Sequence, residues 1–220
     1  MAQHDTGVGK LRALCSASAP NSPQQSGKIE EDLLFAARAH PPEITIRAAR
    51  AQDAAMLQDL VRGLSLQSRY RRFFHALREL PGEMLASFTH AHPNHEVSLL
   101  ALVHMNGREV AVGMAQYFVK DFPQHCEFAI VVTDQWQRLS IGKRLLRELI
   151  CIARAAGIER IEGDVLNDNQ PVLHMLDAMG FTIGSHPDES YLLRAWKPLT
   201  APAWKCASLP AMVSGNALRY

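Results

Sequence analysis

Apolar positions along the chain change their period several times, and each change marks an element. Ile44 to Arg47 alternates and predicts a strand. Ala54, Leu57, Leu60 and Val61 recur at helical spacing and stop at Gly63; Leu64 to Leu77 continues as helix or helical turn. Pro81 opens a further short helix with Met84, Leu85 and Phe88 on one side. Two apolar runs, Val97 to Met105 and Val110 to Val119, are joined through Asn106-Gly107, the strongest short-range signal for a hairpin. Glu127 to Val132 reads as the next strand. Ile141, Leu145, Leu149, Ile152 and Ala156 then form a helical stripe that ends at Gly157. Ile158 to Leu166 returns to strand. Asn169 to Met179 reads as a helix with Val172, Leu173, Leu176 and Met179 inward and Gly180 at its end. Phe181 to Ile183 and Tyr191 to Ala195 close the pattern as strands. Strand, helices, hairpin, then strand-helix-strand-helix-strands predicts an α/β (α+β) fold: a mixed sheet with helices on its faces.

The ends of the chain do not follow this pattern. Residues 1–28 are rich in Ser, Ala, Gln, Gly and Pro and predict disorder, and Glu30 to Ala39 predicts a short helix stopped by Pro41 and Pro42, so 1–42 is expected to be a disordered or partly helical tail. Residues 198–220 carry three prolines and no period, and predict an irregular tail. The folded unit is expected over 43–197. At 220 residues and 47% hydrophobic composition there is material for one sizeable core. A net charge of +1 provides no global field to recruit nucleic acid or anionic membrane. No run reaches the roughly 18 apolar residues of a membrane span. Cys15, Cys126, Cys151 and Cys206 are widely spaced with no C-x-x-C pair, and read as free thiols in a reducing cytoplasm.

Candidate chemistry concentrates between Asp134 and Leu146, DQWQRLSIGKRLL, where a strand runs through a short loop into an amphipathic helix. The first N–H groups of a helix lack intrahelical partners and carry partial positive charge, so such a junction suits a phosphate. The loop pattern Gln137-x-x-Ser140-x-Gly142 resembles the Gln/Arg-x-x-Gly-x-Gly/Ala signature of the GNAT acetyltransferase superfamily, with Ser140 where the family usually has Gly. EGDVLNDNQPVLHMLDAMGF, residues 162–181, is similar to the family's later strand and helix. SLQSRYRRFFHALRELPGEMLASFTH, residues 65–90, resembles the front of the acetyltransferase domain in bacterial Pat-type protein lysine acetyltransferases.

The resemblance, over about 43–196, implies a GNAT-like sheet that is mostly antiparallel and flanked by helices. It also implies acetyl-CoA as co-substrate, with no metal, and assigns residues. Gln137, Arg138, Leu139, Ser140, Ile141, Gly142 and Lys143 would hold the pyrophosphate, chiefly through backbone N–H groups. Val131 and Val132 would offer their backbone to the pantetheine arm where the strand splays from its neighbour. Asn169 would cap the following helix and hydrogen-bond that arm. If Ser140 must adopt positive φ, the cost relative to Gly is about 1–2 kcal/mol.

Acetyl transfer to an amine needs a group that removes a proton from the ammonium before the nitrogen attacks the thioester. Glu127, at the start of the strand that leads into the loop, is the candidate catalytic base, and Glu96 is the competing one. Many GNAT enzymes carry a Tyr seven residues after the Asn as general acid; here that position is Leu176. The expected partners are acetyl-CoA and an amine acceptor, a protein lysine first and a small amine second, with no membrane and a monomer or homodimer. A non-catalytic acyl-CoA sensor is the alternative outside enzymes. His90, His92, His95 and His104 fit no closed zinc spacing. The segment RYRRFF, residues 69–74, interleaves basic and aromatic residues. Nucleic-acid binding is the weaker reading of it beside a wall of the acceptor site, or packing with a basic outer face.

Overall fold

A computed structural model describes residues 43–200 except 76, 91–94, 106 and 122–124. The expectations for 1–42 and 201–220, and that for His92, lie outside the described residues. Among the described residues two compact units are distinguished, one with 43–44 and 103–110 and one with 45–102 and 111–200. The described part of the first is Glu43, Ile44 and the tip of the hairpin, where Gly107 takes a φ of 75°. The second carries the body of the sheet, the helices and every candidate site residue.

Seven strands form one sheet: β1 (Thr45–Ala48), β2 (Glu96–Met105), β3 (Arg108–Asp121), β4 (His125–Val132), β5 (Arg160–Leu166), β6 (Thr182–Ser185) and β7 (Leu192–Pro198), in the order β1-β2-β3-β4-β5-β7-β6. Only β4 and β5 pair in parallel among the described pairings; β1–β2, β3–β4, β5–β7 and β6–β7 are antiparallel. Five helices complete the described chain: α1 (Ala54–Arg62), α2 (Leu66–Phe73), α3 (Gly82–Thr89), α4 (Ile141–Ala155) and α5 (Gln170–Asp177). Both the mixed, mostly antiparallel sheet and its flanking helices agree with the reading of the sequence.

The core lies against both faces of the sheet. On the front face Leu57, Leu60, Val61, Phe73 and Phe88 of α1–α3 pack over Leu100, Leu102, Met114 and Val131. On the back, the α4 stripe of Ile141, Leu145, Leu149 and Ile152 is buried, and Gly113 leaves the room that Leu145 fills: a Cβ there would stand 3.2 Å from Leu145 Cδ1. Each such side chain contributes about 1.5–3 kcal/mol of apolar burial. α4 stops where Gly157 supplies a φ of 80°. Asp53, 2% exposed, is tied to Arg47 Nη1 (2.6 Å) and Nη2 (3.0 Å) and to the Arg50 N–H (2.8 Å), which fixes the chain between β1 and α1.

Cys126 is a free, buried thiol. Cys151 is disulfide-bonded, so the free-thiol expectation fails there; wide spacing along a chain does not keep cysteines apart in space.

Candidate active site

Residues Thr133 to Lys143 connect β4 to α4. After a helical turn at Asp134–Trp136, the backbone takes positive φ at Arg138 (63°) and again at Ser140 (61°), neither of them Gly. Left-handed residues set closely in a turn direct successive N–H groups inward and form an anion-binding concavity. The first intrahelical bond of α4 runs from the Arg144 N–H to the Ser140 carbonyl (3.0 Å). The N–H groups of Ile141, Gly142 and Lys143 therefore have no partner within the helix. Gly142 is not required by packing, because a Cβ there would meet Met175 Sδ, Ile130 Cδ1 and Val132 Cγ2 at 3.5–3.8 Å, ordinary contact. Arg138 is exposed and Lys143 half-buried at the same rim; Leu139 is half-buried and Ile141 belongs to the core.

The loop is braced from below and from the side. Gln137 Nε2 donates to the Val132 carbonyl (3.1 Å) and to Ser68 Oγ (3.2 Å). The Asp134 carboxylate accepts from the Ser65 N–H (3.0 Å), from Ser65 Oγ (2.8 Å) and from Ser68 Oγ (2.8 Å). Partial burial pushes the Asp134 carboxyl up and these donors pull it down, for a net lowering. Ser65 is also the N-cap of α2, accepting from the Ser68 N–H (3.1 Å), so the same residues start α2 and anchor it to the loop.

Between β4 and β5 the sheet opens. Their pairing runs from His125–Arg160 through Cys126–Ile161 to Glu127–Glu162 and stops, although β4 continues to Val132 and β5 to Leu166. Phe128 and Gly163 sit at the fork: a Cβ on Gly163 would lie 2.8 Å from the Phe128 ring and 2.9 Å from its carbonyl oxygen. The free edge of β4 has a definite phase. The Thr133 N–H donates to the Val112 carbonyl (2.9 Å), and bonded pairs alternate along an antiparallel ladder. Val131 thus turns its backbone toward Met114 of β3, and Ile130 and Val132 turn theirs toward the opening. Of the two valines selected from sequence, Val132 lines the gap and Val131 supports the front core.

Glu127 stands at the apex of the fork, on the front face. Three carboxylates share that face by strand parity: Glu127, Glu162 and Asp164. Glu162 is held by Arg160 (2.8 Å), and Asp164 by Arg194 (2.9 and 3.1 Å) with His186 at 3.3 Å. Glu127 is paired with Lys120, whose side chain is 58% exposed. Arg72 of α2 approaches from above. Burial pulls its guanidinium down to about 10 while the Glu127 charge opposes that shift. Arg72 lies over the Phe73 ring (4.7 Å) and donates to Gln116 Oε1, and Gln116 Nε2 donates to Ser98 Oγ (2.8 Å). Glu96, the competing base, begins β2 and accepts from Ser87 Oγ of α3; the neighbouring His95 carbonyl takes the Val119 N–H (2.7 Å), which sets it across β3 from Glu127.

The acetyltransferase (GNAT) family model matches residues 63–181, just over half of the chain. The chain belongs to this family. A curated acetyltransferase of Pseudomonas aeruginosa is 26% identical over 147 residues, covering 67% of this chain and 79% of that protein. Among solved structures, the GNAT domain of S. lividans PAT superposes with a TM-score of 0.63 at 24% identity, over 70% of this chain and 89% of that one. A spermidine N-acetyltransferase from Vibrio cholerae, in complex with CoA and spermine, gives a TM-score of 0.57 at 15% identity, over 71% and 96%. These likenesses establish the fold, and with the family they make the chain a GNAT acetyltransferase.

Within this GNAT chain, Asn169 departs from its expected capping role. It precedes α5 and is 8% exposed, yet its side chain makes no cap and no hydrogen bond with any described residue. Leu176 is fully buried in α5. The RYRRFF segment is not a free basic face: Arg72 turns inward and Arg71 reaches Asp168 (3.8 Å). Among the described residues no cluster of His, Cys, Asp and Glu suits a metal ion. Sequence reading missed Asp134, Ser65, Ser68, Gln116 and Lys120. Ser65 followed three residues later by Ser68 was a visible N-cap signal, but nothing in sequence joined it to Asp134.

Proposed function

We propose that this GNAT enzyme transfers acetyl from acetyl-CoA to a lysine side chain on a protein. The observation that carries the co-substrate is the fork between β4 and β5 ending at the N–H-rich turn Arg138–Lys143. An extended amide-bearing arm finds backbone donors and acceptors on Ile130 and Val132, and its pyrophosphate finds the N–H groups of the turn and of Ile141, Gly142 and Lys143. Asn169, at the start of α5, offers a side-chain amide that makes no hydrogen bond with a described residue. The Vibrio structure, in complex with CoA, supports this cofactor.

In the reaction Glu127 accepts a proton from the acceptor ammonium, directly or through water, and the freed amine attacks the thioester carbonyl. Backbone N–H groups on the open edge of β4 stabilise the developing oxyanion. Glu127 suits the base role better than Glu162 or Asp164, which are held by arginines of their own or adjoining strand. With Leu176 in place of a tyrosine, CoA leaves as thiolate and takes its proton from solvent.

A protein acceptor is favoured over a small amine by the outer surface of α2. Leu66 (70% exposed) and Tyr70 stand four residues apart on α2, exposed Phe74 follows at its left-handed C-cap, and Tyr191 of the β6–β7 connection is exposed as well. Exposed apolar side chains gathered on one face mark docking surfaces. The resemblance to Pat-type domains points the same way. The test is labelled acetyl-CoA with a panel of proteins and small amines, acetyl-CoA synthetase included. Transfer to protein lysines that drops severalfold in Leu66→Ser/Tyr70→Ser supports the reading. Transfer only to small amines, unchanged by these substitutions, overturns the acceptor assignment.

A further inference from the structure

The base candidate already touches a lysine amine, and that amine belongs to the chain itself. Lys120 lies near the end of β3, whose ladder with β4 runs in register from Gly113–Val132 to Val119–Cys126 and then shifts to Asp121–His125. Lys120 falls in the shift and has no cross-strand partner. A bulge of this kind re-aims a side chain and is frequent beside active sites. Here it brings the Lys120 ammonium onto the Glu127 carboxylate, on the face shared with Phe118. Arg72, Asp164 and Arg194 are the other charges felt in this neighbourhood.

Three features make this contact more than a surface ion pair. Glu127 occupies the last paired position before β4 and β5 part, at the inner end of the groove assigned to the thioester arm. Lys120 is more than half exposed, so its four-carbon stem can swing without disturbing the core. Its ammonium contacts the very carboxylate that the proposed mechanism uses to deprotonate an acceptor. The Glu127 hydrogen bond, the largest effect on it, holds the Lys120 ammonium above its usual range, so the resting contact is a charged pair and reaction begins by proton transfer within it.

We propose that Lys120 is an intramolecular acceptor, acetylated by its own active site when acetyl-CoA is bound. This rests on the reading of the site as an acetyl-CoA-dependent N-acetyltransferase with Glu127 as base. Lys120 Nζ gives one proton to Glu127, and its lone pair forms the C–N bond to the thioester carbonyl carbon, giving a tetrahedral adduct. The adduct nitrogen loses a second proton to solvent, the carbonyl re-forms as the C–S bond breaks, and CoA departs as thiolate. Acetyl-Lys120 carries no charge and cannot attack again, so the event is limited to one acetyl per chain. It also ends the ion pair and leaves Glu127 open to an external amine.

The experiment incubates the full chain with acetyl-CoA and no acceptor, follows intact mass, and maps the modified peptide. The expected result is one acetyl group on Lys120, gained at a rate independent of chain concentration and competed by excess CoA. Lys120→Arg should lose that increment, and Glu127→Gln should gain it at least about tenfold more slowly. Acetyl phosphate at matched reactivity should not reproduce it. External amines acetylated while Lys120 stays unmodified would overturn this inference and leave the enzyme assignment standing. Equal labelling from acetyl phosphate, or equal labelling in Glu127→Gln, would overturn it as ordinary surface chemistry. No CoA release with any acceptor would overturn the catalytic reading and this inference together.

Discussion

The Asp134 carboxylate takes both the N–H (3.0 Å) and the hydroxyl (2.8 Å) of Ser65, a residue 69 positions earlier in the chain. One residue of the turn before α4 thus holds the first turn of α2, so the helix that bears the exposed apolar ridge is fastened to the loop assigned to the pyrophosphate. Asp134→Ala removes a charged acceptor from three donors and should lower stability by about 1–3 kcal/mol. Asp134→Asn should cost less. The Asp134 carboxyl is lowered in the fold, so its contribution is present above the unfolded value of about 3.9 and is lost as pH falls through the lower folded value. Denaturant midpoints from pH 7 down to pH 3 should therefore fall less steeply in Asp134→Asn than in the parent chain.

Gly142 and Gly163 should respond oppositely to alanine. At Gly142 the added methyl meets only ordinary contacts, so thermal stability should change little while CoA affinity drops by about tenfold or more, or ~1.4 kcal/mol. At Gly163 the methyl collides with the Phe128 ring and carbonyl, and overpacking of this kind costs about 1–3 kcal/mol. Paired melting curves and calorimetry with CoA check both. A large stability loss at Gly142 would show that its role is in the fold and not at the ligand.

Ser140 holds a φ of 61° with no side-chain cap bond. Ser140→Gly should relieve about 1 kcal/mol of left-handed strain, less the entropy that glycine adds to the unfolded chain, and raise the denaturant midpoint modestly. Because the N–H groups of the turn keep their directions, CoA should bind as tightly or more tightly. Weaker binding would identify the Ser140 hydroxyl as a donor to the ligand.

Glu127→Gln should reduce acetyl transfer by about 100-fold to 10,000-fold, the usual contribution of a positioned base, with CoA affinity nearly unchanged. The loss should shrink as pH rises and more of the acceptor amine is already neutral. Steady-state rates from pH 6 to pH 10 on both proteins test this. Parallel profiles with equal rates would remove Glu127 from the base role.

The fold was legible where periodicity carried it. The α4 stripe and its stop at Gly157 are near-complete statements of a helix, and continuous burial from Val97 to Val103 is written as an apolar run. The strand, turn and helix start around Asp134 to Leu146 were legible too, because an apolar run, a break and a helical stripe display them. The side-chain network was not. Asp134, Ser65 and Ser68 look like ordinary polar residues until the chain brings them together, and Arg72 read as outer charge until the fold laid it over Phe73. Lys120 was invisible for a different reason: a register shift of one residue aims it, and no propensity encodes that shift. Asn169 shows the reverse error, since a good capping residue at a helix start makes no side-chain cap in the fold.

The early end of the β4–β5 pairing has a consequence for the life of the chain in a cell. A gap inside a sheet is an edge, and unpaired strand edges are where chains join to one another. A molecule that lies in this gap becomes, for as long as it stays, a missing strand. It shields the edge and stabilises the native state in proportion to the logarithm of its concentration. The abundance of the folded protein is thereby tied to the supply of whatever fills the fork: a chain short of its occupant is both idle and more easily lost.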